Sequence, residues 1–273
     1  MTTLDETFTR VRQEGRAALI GYLPAGFPDR DLSVRLMRAM VEAGVDVVEV
    51  GLPYSDPLMD GPVIQEAAEQ ALRGGMTPAG VLEVAGEVAR SGAATVVMSY
   101  WNPVERFGTD AFAARLAAEG GCGVITPDLT PEESAAWMEA TDTHGIDRIF
   151  LVAPSSTDER LRTVAAACSG FVYAASTMGV TGARSSVSSS AEGLVARVRA
   201  VSELPVAVGL GVSTGEQAAE IAAYADGVIV GSAFIRRVLD APDADAAERD
   251  VRLLAGELAA GVRRRRNVEF PVT

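Results

Sequence analysis

Eight short apolar runs recur along the whole chain with helical patterns between them, and that alternation leaves few folds open. The runs cover residues 17–22, 46–50, 94–98, 122–125, 147–151, 171–174, 206–209 and 226–230. They are rich in Val and Ile, and most are continuous rather than alternating, which is how parallel strands buried on both faces read. Between them, Leu32, Leu36 and Met40 recur at four-residue steps after Asp29 and Asp31, with Gly44 placed to stop a helix. Val251, Leu254, Leu258 and Val262 repeat the pattern near the C-terminus. Eight such units in 273 residues predict an α/β chain folded as a single (β/α)8 TIM barrel over residues 1–273, with extra N-terminal and loop helices. An open doubly wound sheet is the alternative. The first strand turn, from Gly21 to Gly26, lacks the dinucleotide fingerprint that would favour it.

Composition narrows the chemistry. The 24 basic residues are all Arg, against 37 acidic ones, for a net charge of −13. Without a lysine the chain forms no Schiff base with a carbonyl substrate or pyridoxal phosphate, and no P-loop. The acidic balance argues against a nucleic-acid partner, whose phosphates need a basic footprint. A single histidine, His144, read as a surface residue, rules out His-rich zinc sites. Cys122 and Cys168 make neither a C-x-x-C motif nor a disulfide framework. The basic run 263–266 reads as a solvated helix end. No apolar run approaches the ~18 residues of a membrane span and the N-terminal segment is polar, so the expectation is a cytoplasmic protein without membrane association. Chemistry must then rest on carboxylates, hydroxyls and backbone amides, with no metal.

Two connections exceed the roughly 2–6 residues usual between strand and helix. The first runs Gly51-Leu-Pro-Tyr-Ser-Asp-Pro-Leu-Met-Asp-Gly61, with Pro62 opening a helix. Glu49 lies inside the preceding strand, between Val48 and Val50. A charge there is costly unless paired, and desolvation raises its pKa toward neutrality, which suits a general acid/base. Asp60, at the far end of the loop, could face it across a pocket. The other reading gives Glu49 a structural hydrogen bond and has Asp56 and Asp60 cap turns and the helix at Pro62. The second connection, 175–190, is rich in Gly, Ser and Thr and reads as a lid or a plain surface loop, with Ser190 able to cap the next helix. Gly179-Val-Thr-Gly182, Gly209-Leu-Gly211 and Gly231-Ser232 together suggest a phosphate held by the amides of Gly182, Gly211, Gly231 and Ser232, though each alone also suits a plain turn.

These segments resemble the tryptophan synthase α subunit family. Val48-Glu-Val-Gly-Leu-Pro-Tyr-Ser-Asp-Pro-Leu-Met-Asp-Gly-Pro-Val-Ile-Gln65 looks like its signature, and the three Gly-rich segments match its phosphate-binding segments in order and spacing. Pro127-Asp-Leu129 and Pro131-Glu-Glu133 also fit. The resemblance implies a (β/α)8 lyase cleaving indole-3-glycerol phosphate to indole and glyceraldehyde 3-phosphate in tryptophan biosynthesis. Glu49 and Asp60 would be the catalytic pair. Tyr22, Met98, Tyr100, Ile125 and Leu210 would line the indole pocket, Tyr173 would sit near Glu49, and Thr181 would close the lid against Asp60.

The resemblance also implies a partner, a β subunit carrying the pyridoxal phosphate that this chain lacks, in an α2β2 heterotetramer. Tyr54, Pro57, Leu58 and Met59 place apolar bulk at the barrel mouth, as a contact surface would, and Asp56 could add an ionic contact. Departures from the family pattern are Met59 where a small residue is usual, Tyr54 where Phe is common, and Ser-Thr-Met before Gly179. Three other readings remain: a free-standing indole-3-glycerol-phosphate lyase of specialised metabolism, a phosphosugar isomerase or epimerase of the same fold, and a non-catalytic regulator of a partner enzyme. Two opposed carboxylates argue against the last.

Overall fold

A computed structural model of the chain describes residues 3–175, 184–209 and 211–264, with 184–189 described in backbone only. Thr181, Gly182 and Leu210 lie outside the described residues, as do half of the expected lid, 176–183, and the end of the 263–266 run.

Nine parallel segments form one sheet: β1 (Ala18–Pro24), β2 (Val47–Gly51), β3 (Ala94–Met98), β4 (Gly123–Ile125), β5 (Asp147–Ile149), β6 (Leu151–Val152), β7 (Val172–Ala175), β8 (Val206–Gly209) and β9 (Gly227–Val230). Their order is β5-β4-β3-β2-β1-β9-β8-β7-β6. The two ends of that order, β5 and β6, are neighbours in the chain separated only by Phe150, so the sheet curls into a nearly closed barrel. The expected fifth strand is thus split. Phe150 packs among the residues between sheet and helices, and its amide donates to Cys168 Sγ at 3.4 Å instead of joining the ladder. The other expected runs coincide with strands to within two residues.

Two apolar layers hold the barrel. Inside it, Ile20, Val47, Val96, Ile149, Phe171 and Ile229 pack with Leu4, Phe8 and Val11 of the helix Thr3–Gln13. The Phe8 and Phe171 rings lie 5.6 Å apart, so this extra N-terminal helix plugs the end where the strands begin. Outside, the other strand faces pack on the surrounding helices, including Val251, Leu254, Leu258 and Val262 of Ala244–Val262. The first barrel helix, Arg30–Glu42, starts where Asp29 accepts from the Leu32 amide at 2.8 Å, and Gly44 just past it takes φ +111°.

One expectation needs correcting. Ser190 does not cap a helix: the helix Arg184–Arg199 begins six residues before it. Ala191, Leu194, Val195 and Val198 anchor that helix by burial, and serines cost little enough in propensity for it to run back through them. His144 stands at the surface as expected, where it ends the helix Ala135–His144 and pairs with the exposed Asp110 at 2.8 Å.

Candidate active site

The site residues gather where the strands end, the face on which such barrels carry their chemistry. Tyr22 of β1 and Glu49 of β2 are partners in the parallel register, so their side chains share the inner face. Met98 ends β3, Ile125 ends β4, and Tyr173 comes from the middle of β7; all three pack with the barrel interior. Tyr100, just past β3, is buried. Two glycines make room for two phenol rings. A Cβ on Gly209 would sit 2.6 Å from the Tyr173 hydroxyl, and one on Gly51 would sit 2.5 Å from that of Tyr22.

Glu49 is 1% exposed, and its Oε2 has no hydrogen-bond partner among the described residues. Burial, and secondarily the charge of Asp60, pushes its carboxyl up to about 8. At neutral pH it is therefore mostly protonated. Asp60 is partly buried, and burial raises its pKa while the Tyr100 hydroxyl opposes the rise by stabilising the charged form. Burial also raises the Tyr22 and Tyr173 phenols well above their ordinary value, with both carboxylates adding to it. The capping alternative fails for Asp60: the helix Pro62–Arg73 takes Gly61 as its N-cap, with no side chain on its first amides. Asp56 is exposed and accepts from Ser55 Oγ at 2.6 Å, a local turn bond.

On the other side of the mouth, Gly211 takes φ +65° and Gly231 precedes the helix Ser232–Leu239, whose first amides no side chain caps. Of the expected partner contacts, Leu58 and Met59 are 77% and 54% exposed, whereas Tyr54 and Pro57 are half-buried. Among the described residues no group of three or more His, Cys, Asp or Glu side chains could hold a metal ion, and no helix is long and apolar enough to cross a membrane.

Two residues to which the sequence reading gave no role fix this face. Asp128 accepts from the Trp101 amide at 2.8 Å and so starts the helix Trp101–Phe107. Asn102 Nδ2 donates to the Tyr54 hydroxyl at 3.1 Å across 48 residues of sequence, a separation that leaves no local signal.

A family model described as tryptophan synthase alpha chain matches residues 8–263. This chain belongs to that family. A tryptophan synthase alpha chain from Thermobifida fusca is 63% identical over 266 residues, covering 96% of this chain and 98% of the relative. One from Acidothermus cellulolyticus is 61% identical over 265 residues, covering 97% and 98%. Among solved structures, tryptophan synthase from M. tuberculosis in its open form superposes with a TM-score of 0.88 at 53% identity, covering 95% of this chain and 98% of that one. The tryptophan synthase alpha subunit of Legionella pneumophila has the same TM-score at 31% identity, covering 96% and 98%. The alpha-chain family thus accounts for the barrel and spans nearly the whole chain.

Proposed function

We propose that Glu49 and Asp60 are the acid/base pair of this alpha chain, acting on indole-3-glycerol phosphate in the mouth of a single barrel domain. Family membership makes the chain the carbon–carbon lyase that releases indole and glyceraldehyde 3-phosphate in tryptophan biosynthesis. The observation that carries the assignment is the buried Glu49 carboxyl, with an oxygen unpartnered among the described residues, protonated up to about pH 8. It holds the proton that C3 of the indole ring needs. Asp60, less buried and steadied by Tyr100, keeps the charge that accepts the indole N–H and balances the positive ring. Environments that push two carboxyls apart divide the roles of acid and base in this way. Once Glu49 has given its proton to C3, its carboxylate takes the proton of the glycerol hydroxyl beside the ring. The C–C bond then breaks, its electrons return to the indole, and the hydroxyl carbon becomes the aldehyde. The net proton change on the enzyme is zero.

Tyr22, Met98, Tyr100 and Ile125 flank the indole in this reading, and Tyr173 stands near Glu49. The amides of Gly211, Gly231 and Ser232 take the phosphate at an uncapped helix start, where the dipole favours an anion. Gly182, Thr181 and Leu210 complete the phosphate, lid and indole contacts. An alpha chain of tryptophan synthase works with a β subunit. We place that partner on Met59, Pro57, Tyr54 and Asp56, assign pyridoxal phosphate to it alone, and propose an α2β2 assembly in the cytoplasm.

Indole release from indole-3-glycerol phosphate tests the assignment. Glu49→Gln and Asp60→Asn should each lower turnover by at least ~10²-fold with an unchanged circular dichroism spectrum. Near-normal turnover in both would overturn it. Activity should also fall as pH rises through about 8, where Glu49 loses its proton.

A further inference from the structure

The loop between β2 and the helix Pro62–Arg73 carries Asp60 but holds itself weakly. Ser55 donates to its neighbour Asp56, and the Gln65 side chain reaches back to the Asp60 carbonyl at 2.7 Å. Its other anchors among the described residues lie at the end of β3 and on the segment that follows it. The Leu52 amide donates to the Met98 carbonyl at 2.8 Å, and the Met59 amide donates to the Tyr100 hydroxyl at 3.0 Å. The Tyr54 ring lies against the Tyr100 ring, centroids 5.3 Å apart and planes tilted by 33°. Asn102 Nδ2 holds the far end of Tyr54 by its hydroxyl. Asn102 itself is fixed in the first turn of the helix Trp101–Phe107, which Asp128 starts.

We infer that Tyr54 and Asn102 form a strap that positions Asp60 by acting through Tyr100. The inference rests on the reading of Asp60 as a reacting group. Tyr54 stacks on a ring whose hydroxyl accepts from the residue before Asp60 and stabilises the Asp60 charge. A phenylalanine at position 54 would keep the stacking but lose the bond that sets the ring's angle. The Tyr100 ring would then be free to tilt, and its hydroxyl would drift from Asp60. The titratable groups facing Asp60 are Glu49 from β2, Tyr22 from β1, Tyr173 from β7 and Tyr100. Of these, Tyr100 alone favours the charged form of Asp60 as a hydrogen-bond donor. Weakening the strap should therefore raise the pKa of Asp60.

The test uses the full chain with its cognate β subunit at saturation, so that any loss of docking affinity drops out of the rate. Indole release is measured against pH for wild type, Tyr54→Phe, Asn102→Ala and the double variant. Each single variant should lower kcat by about 2–10-fold, the worth of one neutral hydrogen bond, with KM little changed. The acid limb of the kcat profile should move to higher pH by about 0.5 unit in each. Because both variants cut one bond, the double variant should lose no more than either single one. Thermal melting should stay near wild type, since Asn102 is exposed and Tyr54→Phe keeps its ring. Unmoved acid limbs with wild-type kcat would overturn the strap, as would multiplicative losses in the double variant or a change confined to KM. Asp60→Asn separates the two readings. If it is inactive while Tyr54→Phe is unaffected, the strap alone fails; if it is fully active, the role of Asp60 fails first.

Discussion

Asp46, just before β2, and Glu49, at the middle of that strand, stand three residues apart, and both are buried, at 6% and 1% exposure. Their surroundings are opposite. Asp46, at the plugged end, takes Arg16 through Nη1 at 2.7 Å and Nη2 at 2.8 Å, the Leu19 amide at 3.0 Å, and Arg10 at 3.3 Å. Arg16 is itself buried, and its hydrogen bond to Asp46 raises its pKa further. Glu49, farther along toward the open end, has an oxygen with no partner among the described residues and a second carboxylate for a neighbour. A buried charge that serves the fold is paired on every side; one kept for chemistry is left short of partners, and its proton is held by burial instead.

Breaking the paired end should have the largest effect on stability. Asp46→Ala leaves the Arg16 guanidinium buried with only Glu14 and a carbonyl, and should cost roughly 3–5 kcal/mol in denaturant unfolding. Turnover per folded molecule should change little.

The open end should behave in the reverse sense. Glu49 binds its proton more tightly folded than unfolded, so the folded state holds more protons between about 4.5 and 8. Its contribution to stability is full below that window and is lost as pH rises through it. Complete ionisation is worth roughly 5 kcal/mol, of which an amide without partners takes back roughly 1–3. Glu49→Gln should then melt higher than wild type at pH 9, by roughly 2–4 kcal/mol, with no such gain at pH 4.5. Equal pH dependence in the two proteins would show that Glu49 ionises freely.

Smaller effects sharpen the contrast within the open end. Gly209→Ala brings a methyl within 2.6 Å of the Tyr173 hydroxyl and should push that ring into the mouth. The expected cost is roughly 1–2 kcal/mol with a raised KM for indole-3-glycerol phosphate. Leu58→Ser, on the exposed tip of the same face, should leave stability within about 0.5 kcal/mol, so that any change it makes appears only when the β subunit is titrated.

The strands, the limits of the helix Arg30–Glu42 and the two carboxylates as candidates were legible in the sequence because each rests on local chemistry. Continuous Val and Ile runs admit only strands buried on both faces, Asp29 can cap only the helix it precedes, and Glu49 is conspicuous because no solvated position exists inside such a run. Asp60 was legible as a candidate only: whether it caps a helix or faces Glu49 depends on Gly61 taking the cap, a matter of loop path. Closure of the barrel decided the rest. It split the fifth strand at Phe150, turned Gly209 and Gly51 into room for two phenols, brought Arg16 onto Asp46 across 30 residues, and set Asn102 against Tyr54 across 48. Periodicity fixes which face of a segment is buried, because that is settled within a few residues. Which side chains then meet is settled only when distant segments are brought together, and no pattern along the chain records those distances.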